Sequence, residues 1–250
     1  MISKSTIKYI QSLQDKKNRD AHNVFIAEGP KLIKELIAQK IFLLDALYCT
    51  QKWHSNSAET IVNIDKNSIF VIEEFELEKI SSLSIANQVL GVFIKKQVNV
   101  NPALQNKLTL VLEDVQDPGN LGTIIRTADW FGVENIICTP ATADCFNPKV
   151  IQSTMASLGR VNIIYTDVIS FIEKYPTIKK YSALLHGKNI KSFGNLQQGF
   201  IMLGNESKGL SEQLIKYTDE KITIAKIGEA ESLNVAIAAS IILHSITDSN

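Results

Sequence analysis

Cysteine is scarce in this chain: three in 250 residues, Cys49, Cys138 and Cys145, with no CxxC pair. Three thiols cannot all pair, so no disulfide framework is expected, only buried free thiols. The four histidines, His22, His54, His186 and His244, share no metal-ligand spacing, and no Ser/His/Asp arrangement is detectable. A metal site is therefore not expected. No apolar run reaches the ~20 residues that a bilayer-crossing helix needs, and the opening Met1-Ile2-Ser3-Lys4-Ser5 lacks the apolar stretch of a signal peptide. The expectation is a cytoplasmic protein with no membrane partner. No GxGxxG follows a strand-like run, which removes the usual dinucleotide fingerprint. Arginine is scarce too: Arg19, Arg126 and Arg160 are the only three among 26 basic residues.

What is present is an ordinary globular composition, 45% hydrophobic and 21% charged. A chain of this length buries a sizeable core and holds one large or two modest domains. Net charge is zero, which argues against a wholesale polyanion-binding surface. Residues 1–40 are less neutral: eight basic residues (Lys4, Lys8, Lys16, Lys17, Arg19, Lys31, Lys34, Lys40) face four acids (Asp15, Asp20, Glu28, Glu35). Such an excess either steers RNA through its phosphates or is a solvated helix face.

Periodicity predicts a helix over residues 5–19, with Ile7, Ile10 and Leu13 on one side, then a strand Val24–Ala27 and a helix from Pro30 to Gln39. Strands follow at Leu43–Cys49, Ile69–Ile72 and Val89–Ile94, with a short helix Glu76–Leu83. The polar, aperiodic stretch Lys95–Pro102 reads as a linker. Beyond it strands and helices alternate: Leu108–Val115, helix Asn120–Phe131, Asn135–Thr139, helix Pro148–Leu158, Val161–Tyr165, Ser182–Leu185, Phe200–Leu203, helix Ser211–Tyr217, Ile222–Ala225 and helix Ser232–Ile246. Gly132 and Gly159 stand where helix C-caps want positive φ. The alternation implies an α/β fold, a mostly parallel sheet with helices on both faces, preceded by a small α/β domain. The expected domains are residues 1–98 and 107–250.

Three polar, Gly-containing corners follow strands, where ligands of such sheets bind. The first is Asp117-Pro118-Gly119-Asn120-Leu121-Gly122, with Arg126 beyond it. Leu121, Ile124, Ile125 and Ala128 form an apolar stripe, and Arg126 falls off it. A guanidinium where lysine is the habit suggests bidentate anion binding, the alternative being an ion pair with Asp129 or Glu113. Asn120 also suits a helix N-cap. The second corner, Leu203-Gly204-Asn205-Glu206-Ser207-Lys208-Gly209-Leu210-Ser211, is a near miss for the P-loop, because Leu210 stands where the phosphate-binding lysine belongs. The third is Glu231-Ser232-Leu233-Asn234-Val235-Ala236. Ser232 suits the N-cap of a helix apolar nearly all round, and Asn234 must find hydrogen-bond partners as that helix is buried.

These three corners, in this order, resemble the motifs of the SpoU (TrmH-type) RNA ribose 2′-O-methyltransferases of the SPOUT superfamily, over roughly Leu108 to Ile246. The opening Ser3-Lys4-Ser5, Ile7-Lys8 and Phe25-Ile26-Ala27-Glu28-Gly29-Pro30-Lys31 looks like the L30e-like substrate-binding domain of many such enzymes. The resemblance implies a C-terminal trefoil knot and S-adenosyl-L-methionine bound around Leu203, Gly204, Asn205, Ile224, Leu233 and Asn234. It also implies catalysis by Asn120, Arg126, Glu206, Ser232 and Asn234, a homodimer, and structured RNA as substrate, ribosomal RNA rather than tRNA. On this reading Gly204 lets the backbone approach the adenosine. The alternatives are the same activity on tRNA, or an RNA-binding protein that has lost methyl transfer; a nucleotide-dependent oxidoreductase lacks its glycine fingerprint.

Overall fold

The structure is a computed structural model and describes residues 2–247. Residue 1 and residues 248–250, at the outer ends of the two expected domains, lie outside the described residues. The chain divides into two compact units: residues up to Gln97 together with Phe146–Gly159, and Val98–Cys145 together with the chain from Arg160 on.

The first unit runs α1 (Lys4–Ser12), α2 (Lys16–His22), β1 (Val24–Glu28), α3 (Pro30–Gln39), β2 (Leu44–Cys49), α4 (Gln51–Ser55), α5 (Ala58–Ile61), β3 (Ile69–Val71), α6 (Glu74–Ile80) and β4 (Val89–Ile94). Its sheet has the order β1-β4-β2-β3, antiparallel except between β2 and β3. The helix expected over residues 5–19 is two helices. Arg19, only 1% exposed, donates from one guanidinium nitrogen to Leu13 O at 2.9 Å and Gln14 O at 2.6 Å, satisfying carbonyls at the break. Seven lysines of the basic segment are exposed, so Arg19 alone of the eight is withdrawn from any ligand surface. Glu28 is also buried and accepts from Ser81 Oγ, Ser82 N and Ser82 Oγ.

The expected assignment of residues 146–159 to the second domain does not match this division. The segment carries α8 (Pro148–Thr154), which packs on β1, and Phe146, whose ring lies 5.2 Å from Phe25 with Lys95 Nζ 5.0 Å above it. Its apolar side chains find their partners among residues of the first 97, so burial overrides sequence order. Gly159 is no helix cap. Met155 (φ 48°) and Ala156 (φ 71°) take the left-handed positions, and a Cβ on Gly159 would come within 2.4 Å of Gln39 Oε1. Gly132 does take positive φ, at 71°, after the C-cap Phe131.

The second unit contains β5 (Leu108–Leu112), α7 (Pro118–Trp130), β6 (Asn135–Cys138), β7 (Asn162–Tyr165), α9 (Val168–Glu173), β8 (Lys180–Asn189), β9 (Gly199–Leu203), α10 (Glu212–Ile215), β10 (Glu220–Thr223) and α11 (Val235–Thr247). Its sheet is parallel throughout in the order β10-β8-β9-β5-β6-β7. Every residue of β5, β6 and β9 is buried, so both faces of the sheet's centre are covered. Val111, Ile137, Phe200 and Met202 meet Phe171 and Ile172 of α9 and Leu214 of α10 in one cluster. β8 outruns its expected four residues because its polar far end pairs with β10 after a register shift, Ile222 with Lys188 and Thr223 with Asn189, and Lys188 Nζ lies 2.8 Å from Glu220 Oε2. β10 ends at Thr223, which leaves Ile224 in the following loop. Among the described residues no helix is long and apolar enough to cross a membrane.

Candidate functional site

β5 and β9 are sequence-distant neighbours at the centre of the sheet, paired from Leu108↔Gly199 to Leu112↔Leu203. The chain leaves β5 toward β6 on one side and reaches β9 from the other, so their carboxyl ends form a switch point, where crevices open in parallel sheets. The first two corners follow these strands. The third follows the edge strand β10 and leads into α11, which packs against α7.

Asp117, not Asn120, caps α7: its Oδ1 accepts from Asn120 N at 2.9 Å, and Pro118 is the first helical residue. The Asp-Pro pair carries that signal, since Asp suits the cap and proline the position after it. Released from capping, the Asn120 side chain donates from Nδ2 to Glu206 Oε1 at 2.9 Å and accepts at Oδ1 from Asn234 Nδ2 at 2.9 Å. Glu206 Oε1 also accepts from Asp117 N at 3.4 Å. Asn234 in turn caps α11, its Oδ1 accepting from Ala236 N at 2.9 Å and Ile237 N at 3.3 Å. Ser232 was the expected cap; it is exposed, and no hydrogen bond joins it to the others among the described residues. One chain of bonds, Asn234 to Asn120 to Glu206, thus links all three corners.

Arg126 stands apart from that chain. It is exposed on α7, six residues past Asn120, which is about 9 Å along a helix and about 120° around it. Neither expected ion pair forms. Asp129 is held by Arg160, whose Nε lies 2.9 Å from both carboxylate oxygens. Glu113 accepts from Ser211 N at 2.7 Å and Ser211 Oγ at 2.6 Å. No hydrogen bond or ion pair holds Arg126 among the described residues, which leaves its guanidinium open to an anion.

The second corner is closed by its own backbone. Asn205 and Gly209 exchange N–H···O bonds of 3.0 and 2.9 Å, and Asn205 Oδ1 accepts from Ser207 N at 2.9 Å and Lys208 N at 3.1 Å. A Cβ on Gly204 would sit 2.1 Å from Gly209 C, so Gly204 is required by this closure. This need for glycine stands beside the expected one, room for the backbone to approach an adenosine. Leu203 is buried at the end of β9, Ile224 is half-buried, and Leu233 is 49% exposed. Lys226–Leu233 is exposed throughout, and its backbone makes no hydrogen bond among the described residues. Those N–H and C=O groups are available to a ligand.

At the sheet's other end the Tyr165 phenol donates to Ala143 O and accepts from Cys145 N at 2.8 Å. The residue as a whole keeps 37% of its surface exposed; burial first, then Cys145, Cys138 and Asp144, pushes its pKa up. Burial also pushes the Cys49 thiol up to about 11 and Cys138 well above its ordinary value, so both are inert thiols. No His/Cys/Asp/Glu cluster able to hold a metal occurs among the described residues.

Fold and geometry define an α/β protein whose polar, glycine-turned corners meet at a parallel-sheet switch point, without a dinucleotide fingerprint. The chain belongs to the SpoU rRNA methylase family, whose model matches residues 107–244; residues 4–91 match an MRM3-like substrate binding domain. It is 28% identical to the Bacillus subtilis 23S rRNA (guanosine(2553)-2′-O)-methyltransferase RlmP, covering 95% of this chain and 94% of that one. A TrmH-family structure from Porphyromonas gingivalis is 31% identical, with TM-score 0.84 and 98% of each chain covered. An AdoMet-bound rRNA methyltransferase from Sinorhizobium meliloti is 27% identical, also with TM-score 0.84, covering 98% of this chain and 95% of that one.

Proposed function

We propose that this chain transfers a methyl group from S-adenosyl-L-methionine to a ribose 2′-hydroxyl of ribosomal RNA. The observation that carries the reading is the bond chain Glu206–Asn120–Asn234 across three corners of one switch point, in a chain of the SpoU family. The residues present fit the cofactor. Leu203 ends a central strand with Gly204 and Asn205 just beyond it, Ile224 follows the edge strand, and the unbonded backbone of Lys226–Leu233 offers the donors and acceptors an adenosine needs. When bound, S-adenosylmethionine supplies an electrophilic methyl group.

The protein's own part is positioning and charge stabilisation. Glu206 fixes the Asn120 amide, and Asn120 fixes Asn234, so the ribose meets polar groups whose directions are set in advance. A guanidinium keeps its proton throughout the neutral range and is a poor base. Arg126 therefore holds the adjacent phosphate and stabilises the developing alkoxide, while Ser232 offers a further hydroxyl to the substrate. The seven exposed lysines of the N-terminal segment and the substrate-binding-domain match support an L30e-like grip on structured RNA.

The reading includes a trefoil knot in the C-terminal segment. In its support, β9 lies between β8 and β5, and the chain after β10 returns through Asn234 to Asn120. It includes a homodimer too, supported by apolar side chains left uncovered on α7 and α11: Trp130 is 83% and Ile237 50% exposed. The relatives named for 23S rRNA favour ribosomal RNA over tRNA. The test is mapping of 2′-O-methyl positions in total RNA from a strain lacking the gene, with methylation of that RNA by purified protein. One ribosomal position should lose its methyl group in the strain and regain it in vitro. An unchanged ribosomal map, or restoration only in tRNA, rejects the ribosomal assignment.

A further inference from the structure

Asp114, between β5 and the first corner, is a non-glycine residue at φ 55°, a left-handed conformation that aspartate tolerates better than most residues when its short side chain is bonded locally. Here it is. Asp114 N donates to Thr139 Oγ1 at 2.9 Å, and Thr139 Oγ1 donates to Asp114 Oδ1 at 2.6 Å. The single Thr139 hydroxyl proton is thereby used, so Thr139 does not donate across the 3.1 Å contact with Thr142 Oγ1, whose own hydroxyl also reaches Leu112 O at 3.4 Å. This clamp, built on the loop after β6, fixes the Asp114 peptide. Its carbonyl then accepts from Asn205 Nδ2 at 2.8 Å.

We infer that Asp114 and Thr139 are positioning residues for methyl transfer, acting through Asn205 on Glu206. The deduction rests on the methyltransferase reading given above. Holding the Nδ2 of Asn205 on Asp114 leaves its Oδ1 to face Ser207 N and Lys208 N, and this sets the turn on which Glu206 stands. Glu206 Oε1 then meets Asn120 and Asp117 at the start of α7. The loop after β6 also holds the residue next to Asp114, Ala143 N donating to Val115 O at 2.9 Å. Its threonine acts only by locking a backbone conformation two strands' corners away from the reacting groups.

The test uses full-length protein with Thr139→Val, which keeps the β-branched shape and loses the hydroxyl, Thr139→Ser, which restores it, and Asp114→Gly, which frees the backbone. Single-turnover methylation at saturating RNA and cofactor should slow about tenfold or more for Thr139→Val and Asp114→Gly. RNA affinity should stay within about twofold, and Thr139→Ser should recover the rate. In a Glu206→Gln background, Thr139→Val should cost little further, because both changes act on one chain of contacts. Wild-type turnover by Thr139→Val, or full additivity with Glu206→Gln, overturns the inference. A second readout is independent of activity: the side-chain amide resonances of Asn205 and Asn120 should move in Thr139→Val and return in Thr139→Ser. Unmoved resonances reject the positioning chain, whereas moved resonances in a protein that methylates no RNA reject the methyltransferase reading instead.

Discussion

Asn120 places its Nδ2 2.9 Å from Glu206 Oε1, and that bond sets the direction of the bonds that follow it. A carboxylate only accepts, so the amide nitrogen must face it and the amide oxygen must face away, toward Asn234. Asn234 then turns its own nitrogen to Asn120 and its oxygen to the first N–H groups of α11. One negative charge orients two amides and one helix start.

Asn234→Asp separates the cap from the relay. Aspartate caps helices as well as asparagine does, so the melting temperature should stay within a few degrees of wild type. It has no N–H to give Asn120, and two acceptors would face each other. Methyl transfer should fall about tenfold or more, a loss in the range of one removed donor. Thermal melts and single-turnover rates check it; wild-type turnover would show that the link to Asn120 is only structural.

Gly204 and Gly209 should respond differently to alanine. At Gly204 the new Cβ would collide with the Gly209 carbonyl carbon, so the 204–210 turn must open. At Gly209 nothing lies within 4 Å and the cost is that of φ 68° alone, about 1–3 kcal/mol. Chemical denaturation should rank Gly204→Ala as the more destabilised. Equal stabilities would mean that the turn relaxes freely.

Arg126→Ala should lower the methylation rate by roughly two orders of magnitude, the typical cost of one donor to a developing oxyanion. Stability should hardly change, since no protein partner is lost. Arg126→Lys should not restore the rate, because an ammonium cannot bridge two oxygens in a plane. Paired melts and kinetics decide; a lysine variant with near-normal turnover would refute the role.

Tyr165→Phe removes two hydrogen bonds and should cost about 1–3 kcal/mol near neutral pH. The folded phenol holds its proton far more tightly than the unfolded one. That contribution is complete below the unfolded pKa of about 10 and is lost as pH rises beyond it. The stability gap between wild type and Tyr165→Phe should therefore narrow above about pH 10. Urea midpoints from pH 8 to 11 measure it, and a constant gap would show that folding does not raise the phenol's pKa.

Periodicity and glycine punctuation made the parallel sheet legible, because buried strands such as Leu108–Leu112 and Phe200–Leu203 are continuous apolar runs bounded by polar corners. The helices α4, α5 and α9 were not legible; four to six residues are too few to show a period. In the site, the polar residues of the corners stood out, but which one capped each helix did not. Asp117 and Asn120, or Ser232 and Asn234, are equally able caps, and only the bonds to Glu206 and Asn120 decide between them. Asp114 and Thr139 left no mark at all, since an aspartate at positive φ looks like any other aspartate in sequence.

The pairing of β9 between β8 and β5 also has a consequence for the order in which the molecule forms. During synthesis β5, β6 and β7 emerge before β9, the strand that completes the middle of the sheet. Closing so long a loop is slow relative to local pairing. One flank of β5 therefore stays open until β9 is made, and the crevice cannot form before the 204–210 turn and Asn234 follow it.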